Sequence, residues 1–231
     1  MESPILITGC ARSGTSLIAG IINMCGAFGG DMSGPNNNNL KGMFENVVIR
    51  NGIVKPYFEH ILHVDRRGQY PLPDIDKMLI PPDWQERVEK VIVDQGYKNG
   101  PWMYKGAKMC LHWKVWHYAF PDAKWIIVRR KPSDIINSCE RTGFMNAFSK
   151  HHIQRAVGVK NAHDGWLWWV RQHHERFTEM MMEGLNIKAV WPERMVNRNY
   201  SQTQEMLDWL GLEWTDEIFD FIEPKLWKAR N

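Results

Sequence analysis

The stretch Ile5-Leu6-Ile7-Thr8-Gly9-Cys10-Ala11-Arg12-Ser13-Gly14-Thr15-Ser16 decides the fold. It opens with a short apolar run typical of a buried strand, and the apolar spacing over residues 15–22 is typical of a helix. In a strand–turn–helix unit, backbone N–H groups at the turn and at the helix N-terminus converge on an anion, and the helix dipole adds to the attraction. The stretch therefore predicts a phosphate-binding loop; the alternative is a turn of the same shape with only a structural role.

The cation of this loop is misplaced for an ATPase. The spacing of Gly9 and Gly14 matches a Walker A loop, but Thr15 stands where that motif has lysine, and the cation lies at Arg12 instead. The strongest later strand, residues 124–129, runs into Arg130 rather than into a metal-binding aspartate. This pattern favours a multiply anionic ligand that is held without a metal, and it predicts no metal site.

A second basic segment follows that strand. Arg130 stands where open parallel sheets bind their ligands, and Ser138 lies eight residues further on, about two turns into the next predicted helix. A guanidinium group and a hydroxyl on one side suit a phosphate. The alternative is a solvated strand end at Arg129, Arg130 and Lys131.

Working outward, strands alternate with helices along the whole chain. Such alternation predicts parallel βαβ units, a three-layer α/β sandwich around a central parallel sheet, and a single domain over residues 1–231. Besides those already named, we expect strands at residues 102–106 and 187–191, and helices at 47–62, 83–95, 132–141, 166–180 and 201–210. Residues 26–42 and 65–82 are predicted to be irregular, because they are rich in Gly, Asn and Pro.

Composition excludes several classes of function. A net charge of +3 is too small to indicate nucleic-acid binding. The N-terminus lacks the pattern of a signal peptide, and no apolar stretch reaches about 18 residues, so we expect no membrane association. Four cysteines lie far apart without a CxxC pair, which is typical of free thiols in a reducing compartment. A cytoplasmic protein is the expectation.

Together the two basic segments resemble the P-loop sulfotransferase family. Gly9-x-x-Arg12-Ser13-Gly14-Thr15-Ser16 is similar to the family's 5′-phosphosulfate loop, and Arg130-x-Pro132-x-Asp134-x-x-x-Ser138 to its 3′-phosphate motif. Weaker similarities at residues 41–46, 120–124 and 191–195 follow in the family's order, so the resemblance runs from about residue 4 to 214. It is greatest to the RSGTS-type bacterial, carbohydrate and tyrosyl-protein branches, and it implies a fold like that of P-loop nucleoside triphosphate hydrolases.

The resemblance implies a reaction and a set of residue roles. The donor would be 3′-phosphoadenosine-5′-phosphosulfate (PAPS), the product 3′-phosphoadenosine-5′-phosphate (PAP), and the transfer in-line. Arg12 would bridge the sulfate and phosphate of the donor, and Lys105 would approach the transferring sulfuryl group. The 5′-phosphate would be held by Ser13, Gly14, Thr15 and Ser16, and the 3′-phosphate by Arg130 and Ser138.

The chain departs from the small-molecule enzymes of that family at two places. Ala107 stands where they carry a histidine, and their closing glycine-rich segment is missing, with Lys225, Lys228 or Arg230 as possible substitutes. An acceptor hydroxyl must lose a proton, so a base is required. Glu45 is the candidate, since carbohydrate-type members carry a glutamate there; the alternative is that it caps the next helix. The other reachable side chains are His60, His63, His112 and His117.

Two other functions stay open on the sequence. One is a P-loop kinase, which would need ATP and Mg²⁺; the other is a catalytically silent module that binds PAP or another nucleotide. The acceptor is not specified, and a sugar, a peptide tyrosine or a small metabolite would fit equally. Its pocket is expected in the loops at residues 29–42, 65–82 and 143–161.

Overall fold

A four-stranded parallel sheet forms the centre of the molecule in a computed structural model, which describes residues 1–227. Its strands are β1 (Ile5–Gly9), β2 (Met103–Lys105), β3 (Lys124–Val128) and β4 (Ile187–Val190), in the order β2-β1-β3-β4. Ile5 lies opposite Met103 on one side and Lys124 on the other, so β1 occupies an interior position. The predicted parallel sheet is confirmed.

Helices cover both faces of the sheet. They are α1 (Thr15–Met24), α2 (Trp84–Asp94), α3 (Trp113–Ala119), α4 (Pro132–Arg141), α5 (His151–Ala156), α6 (Ala162–Met182), α7 (Pro192–Val196), α8 (Ser201–Leu210) and α9 (Glu217–Phe221). Two π-helical turns span Ile49–Val54 and Tyr57–Ile61, and short 3₁₀ turns span Ile75–Lys77, Met109–His112, Ala147–Ser149 and Pro224–Leu226.

Alternate side chains of the strands enter two separate cores. Leu6, Trp125 and Ile127 belong to a core formed with α2, α3, α4, α5 and α6. Ile7 and Ile126 belong to a second core, on the opposite face, formed with α1, α7, α8 and α9. Because a strand turns successive side chains to opposite faces, the nearly continuous apolar strands bury both faces. The three-layer α/β sandwich is therefore confirmed.

The structure adds elements that the sequence pattern did not show. Residues 47–62 are helical as expected, but they form two π-helical turns rather than one α-helix, with Lys55 and Pro56 between them. Pro56 has no N–H to donate, which disfavours a continuous α-helical ladder there. The helices α3, α5, α7 and α9 were not predicted, because five to seven residues are too few to show an apolar repeat; α5 lies within residues 143–161, which were expected to form a loop.

A buried hydroxyl fixes the carboxyl end of β2 to that of β1. Thr8 Oγ1 donates to Gly106 O at 3.1 Å and accepts from the N–H of Cys110 at 3.1 Å. Gly106 N–H also donates to Ile7 O at 3.0 Å. These bonds hold Lys105 at the level of the turn that follows β1.

Within residues 1–227, every helix is too short or too polar to cross a bilayer.

Candidate active site

The turn after β1 has the backbone of an anion-binding loop. Ser13 N–H donates to Cys10 O at 3.1 Å, and both Arg12 (φ 72°) and Gly14 (φ 99°) adopt left-handed conformations. Glycine is required at position 14 for a second reason: a Cβ there would lie 2.8 Å from the Trp227 ring and 3.0 Å from Pro192. The first amides of α1 have no acceptor within the helix and carry its positive dipole end.

Three predicted ligand-binding residues meet above this loop. Arg12 Nε donates to Ser138 Oγ at 3.0 Å, and an Nη1 N–H of Arg130 donates to the main-chain oxygen of Arg12 at 3.0 Å. Arg130 follows β3 directly, and Ser138 lies on the buried face of α4, so both motifs converge on one point although they are far apart in sequence. The structure thus brings the three residues together, and their contact with a phosphate stays a prediction.

The electrostatics of this cluster fit a multiply charged anion. Burial lowers the pKa of Arg12, and the charge of Arg141 lowers it further. Burial likewise lowers the pKa of Arg130, although Asp134, whose Oδ2 lies 3.7 Å from Arg130 Nε, acts in the opposite direction. Like charges gathered away from water repel one another. A bound polyanion would relieve that repulsion, so the residues present fit a bisphosphorylated ligand.

The loop residues named from the sequence do not all face the large cavity that runs along the carboxyl edge of the sheet. Gly14, Thr15 and Ser16 line it, and Ser16 Oγ donates to Met43 O at 3.3 Å. The side chain of Ser13 is fully buried beneath the turn, its Oγ 2.8 Å from where a Cβ on Gly9 would lie. The hydroxyl of Ser13 has no hydrogen-bond partner among the described residues. Its contact with a phosphate stays a prediction, and it would need a rotation of that side chain.

A buried ion pair stands at the end of β2. Lys105 Nζ donates to Glu45 Oε1 at 2.9 Å and lies 3.5 Å from Ser16 Oγ, while Arg50 Nε lies 3.2 Å from Glu45 Oε2. Burial acts to raise the pKa of Glu45, but the charges of Lys105, Arg50 and Lys108 outweigh it and leave that pKa below its usual value. Glu45 is thus an ionised carboxylate held by two cations, and it caps no helix through its side chain.

The last described residues close over the loop. The indole of Trp227 lies over the Arg130 guanidinium, 4.2 Å from the ring centroid to Cζ, and also approaches Gly14. Lys225 points to Glu223, with Nζ–Oε2 at 3.0 Å. The other two suggested substitutes for the missing glycine-rich segment, Lys228 and Arg230, lie outside the described residues.

One large cavity is bordered by every predicted site residue except Ser13, that is, by Arg12, Gly14, Thr15, Ser16, Glu45, Lys105, Arg130 and Ser138. Its volume is about 1550 Å³, and it runs along the carboxyl edge of the sheet between the loop at residues 36–45 and the C-terminal half of α4. Residues 1–227 hold no group of three or more His, Cys, Asp or Glu side chains placed to bind a metal ion.

Two buried histidines, His112 and His173, differ in their hydrogen-bond partners. His112, a candidate base, is fully buried and has both nitrogens engaged: Nε2 accepts from Trp116 Nε1 at 2.8 Å, and Nδ1 donates to Lys108 O at 3.2 Å. His173 borders the cavity instead. Its Nδ1 donates to Trp169 O at 2.9 Å, which leaves Nε2 as an acceptor without a partner among the described residues. Burial lowers the pKa of His173 to about 4. Its place in an apolar helical stripe gave no sign of this.

A parallel α/β sandwich with a cationic turn after its first strand and an arginine after β3 is the arrangement expected of a P-loop-type anion site. Residues 4–216 match the model of the sulfotransferase family. The chain therefore belongs to that family.

Solved structures share the fold at low sequence identity. The sulfotransferase from Alicyclobacillus acidocaldarius superposes with a TM-score of 0.57 at 14% identity, over 98% of this chain and 88% of that one. The sulfotransferase domain from the curacin biosynthetic pathway superposes with a TM-score of 0.56 at 14% identity, over 96% of this chain and 78% of that one. The sulfotransferase domain of the Synechococcus PCC 7002 olefin synthase superposes with a TM-score of 0.55 at 12% identity, over 98% of this chain and 87% of that one. A search of curated protein sequences gave no match.

Removing the cation of the buried pair tests how the site is held. In Lys105→Met, the Glu45 carboxylate keeps only Arg50, so we expect a loss of about 2–3 kcal/mol in the free energy of unfolding at pH 7. The pKa of Glu45 is lowered in the native state, so its stabilising effect is present above its ordinary pKa of about 4.3 and is lost as pH falls through the native value. Urea unfolding at pH 7 and at about pH 3.5 should show the difference shrinking in acid.

The control for this variant is Lys98→Met, a change at an exposed lysine away from the cavity. It should alter the free energy of unfolding by less than about 0.5 kcal/mol at either pH. A Lys105→Met effect that is the same at both pH values would contradict the ion-pair account.

Proposed function

We propose that this chain transfers a sulfuryl group from PAPS to a hydroxyl or amine of an acceptor, by metal-independent in-line transfer. The observation that carries the proposal is the meeting of Arg12, Arg130 and Ser138 above the phosphate loop. A ligand with phosphate groups at both ends of one nucleoside would use both motifs at once, and neither ATP nor inorganic phosphate would.

The order of the strands supports a direction for the donor. Arg130 follows β3, the phosphate loop follows β1, and Lys105 ends β2, and these three strands are neighbours in the sheet. The 3′-phosphate would lie at Arg130 and Ser138, and the 5′-phosphate at the α1 N-terminus with Gly14, Thr15 and Ser16. The sulfuryl group would then point toward Lys105 and Glu45.

In the proposed step, an S–O bond to the acceptor oxygen forms while the S–O bond to the 5′-phosphate breaks. The donor supplies an activated sulfuryl group, and PAP leaves with the bridging oxygen. Arg12 would stabilise the negative charge that develops on this oxygen. Lys105 would stabilise the sulfuryl oxygens, and its contact with Ser16 Oγ at 3.5 Å places it beside the loop.

The acceptor proton would pass to Glu45. This carboxylate is ionised, which a base requires, but its two cations make it a weak one. When Lys105 turns toward the sulfuryl group, Glu45 loses a partner and its basicity rises. His173 is a second possible base, since its Nε2 is a free acceptor among the described residues and borders the same cavity.

A Glu45→Gln variant tests the base. The glutamine keeps the size of the side chain but cannot take a proton, so kcat with labelled PAPS should fall by about 100-fold or more while the Kd for PAP stays within about twofold. For the native protein, the rate should hold between about pH 7.5 and 5.5, because the pKa of Glu45 is below its usual value. His173→Gln is the matched variant: near-normal turnover in Glu45→Gln together with lost turnover in His173→Gln would move the role to His173.

A P-loop kinase and a catalytically silent PAP-binding module are the two alternative functions, and each requires a different set of residues at this site. A P-loop kinase needs a carboxylate for its Mg²⁺, and the end of β3 offers Arg129 and Arg130 instead. A silent PAP-binding module would keep Arg130 and Ser138 but lack a working base. The first predicts preference for ATP with Mg²⁺; the second predicts PAP binding without transfer to any acceptor.

Arg130→Gln tests where the 3′-phosphate lies. We expect the native protein to bind PAP about 100-fold more tightly than AMP, which lacks only that phosphate. In Arg130→Gln the ratio should fall below about tenfold, with the affinity for AMP little changed. Calorimetry measures both, and ATP with Mg²⁺ completes the series.

Arg129→Gln is the control, because Arg129 lies over Phe177 and Trp191 and borders no part of the cavity. It should keep the preference for PAP. Equal binding of PAP and AMP by the native protein would exclude the proposed donor site.

The acceptor would be a small molecule, a carbohydrate or a peptide. Residues 5–222 contribute to one sheet and its two cores, which supports the proposal that residues 1–231 act as one domain. All four cysteines are unpaired, which supports a reducing, cytoplasmic location.

A further inference from the structure

A second group of cations borders the cavity on the far side of Lys105. We call it the distal cation cluster; it consists of Arg50, Lys55, Arg66, Arg67 and Lys108. Neither of the two donor motifs includes any of these residues. The strands lie in the order β2-β1-β3, so the ends of β2 and β3 are on opposite sides of the phosphate loop that follows β1. A group beyond the end of β2 is therefore separated by that loop from Arg130, which follows β3. Donor phosphates held at Arg130 and the loop would not reach it.

The members of the cluster are held in place by neutral groups. Lys108 Nζ donates to Arg66 O at 2.6 Å and lies 5.4 Å from the centroid of the Phe58 ring. Lys55 Nζ donates to Asn51 Oδ1 at 2.8 Å. Such contacts fix the positions of the ammonium groups without neutralising them.

Carboxylates nearby do not balance these charges. Glu45 is shared between Arg50 and Lys105. Asp65 accepts from the main-chain N–H groups of Arg67 at 3.2 Å and Gln69 at 2.9 Å. Glu59 pairs with Arg66 at 3.5 Å where both side chains are about half exposed (46% and 55%), a contact of little strength.

The cations consequently repel one another. Burial lowers the pKa of Lys108 to about 8, and the charges of Arg50 and Lys55 contribute although Glu45 and Asp65 oppose them. The pKa of Lys55 is lowered by burial and then by Arg50, Arg66 and Arg67. The Arg67 guanidinium forms no ion pair with any described residue. A cavity wall that keeps five cations together in this way is suited to a negatively charged group.

We propose that the acceptor is itself an anion, and that the distal cation cluster binds its carboxylate, phosphate or existing sulfate ester while its hydroxyl lies at Glu45 and Lys105. This inference rests on the proposed function, because it takes the sulfuryl group to point toward β2. The side of the cavity lined by the distal cation cluster would then select acceptors that carry a negatively charged group besides the group to be sulfated.

Matched pairs of acceptors test it. With saturating labelled PAPS, kcat/KM is compared for 4-nitrophenyl β-D-glucuronide and its glucoside, for 3-(4-hydroxyphenyl)propionate and its primary amide, and for glucose 6-phosphate and glucose. Each pair differs by one anionic group, a carboxylate in the first two pairs and a phosphate in the third, so the pairs separate sugar carboxylate, phenolic carboxylate and phosphate. In at least one pair the charged member should be favoured by about tenfold or more.

Variants then locate the charge preference. Lys55→Gln with Arg67→Gln should reduce that preference by about tenfold, because two of the five cations are lost. The matched control is Lys98→Gln with Lys160→Gln, which removes two exposed lysines that do not border the cavity and should leave the preference unchanged.

Binding of PAP, measured by calorimetry on each protein, separates the two levels of the proposal. If the native protein does not bind PAP, the proposed function is contradicted and this inference is contradicted with it. If PAP binds, the inference alone is overturned by any of three results: equal or greater turnover of the neutral members, no transfer to any charged acceptor, or a preference that survives in the Lys55 and Arg67 double variant.

Discussion

Mutual repulsion among cations at the carboxyl edge of the sheet is the constraint on which the rest of this structure depends. Arg12 and Arg130 are brought together by the ends of two neighbouring strands, and burial lowers the pKa of each. Taking charges out of water costs free energy that a counter-charge returns, and beside Arg130 one such counter-charge is the Asp134 carboxylate, whose Oδ2 lies 3.7 Å from Nε. The fold must therefore hold these side chains firmly, and it does so with apolar cores on both faces of a parallel sheet.

The same constraint explains why hydroxyls and main-chain oxygens are prominent around the loop. Ser138 Oγ and the main-chain oxygen of Arg12 accept hydrogen bonds from the two guanidinium groups without cancelling their charge. Thr8 in turn joins the ends of β1 and β2 so that Lys105 cannot drift from the loop. The cavity also holds carboxylates: Glu45 lies between Lys105 and Arg50, and Glu223 pairs with Lys41 and Lys225.

Local patterns predicted the parts of the fold and site that depend on neighbouring residues. Strand β1, the turn and α1 are adjacent in the chain, and α4 began and ended as its proline and apolar spacing indicated. The meeting of the two motifs followed from the rule that parallel strands end at the same edge. The position of His173 at the cavity and that of Trp227 over Arg130 could not be predicted, because both depend on how distant segments pack. The distal cation cluster was missed for the same reason: its members are spread over residues 50–108 and carry no motif.

A crystal structure with PAP bound would test the central claim most directly. The account predicts the 3′-phosphate within hydrogen-bond distance of Arg130 and Ser138, and the 5′-phosphate at the first amides of α1 beside Arg12. It also predicts that the open part of the cavity lies past Lys105, toward Arg50 and Lys108. A PAP molecule with its 5′-phosphate away from the turn at residues 12–16, or an Arg130 side chain pointing away from the nucleotide, would contradict it.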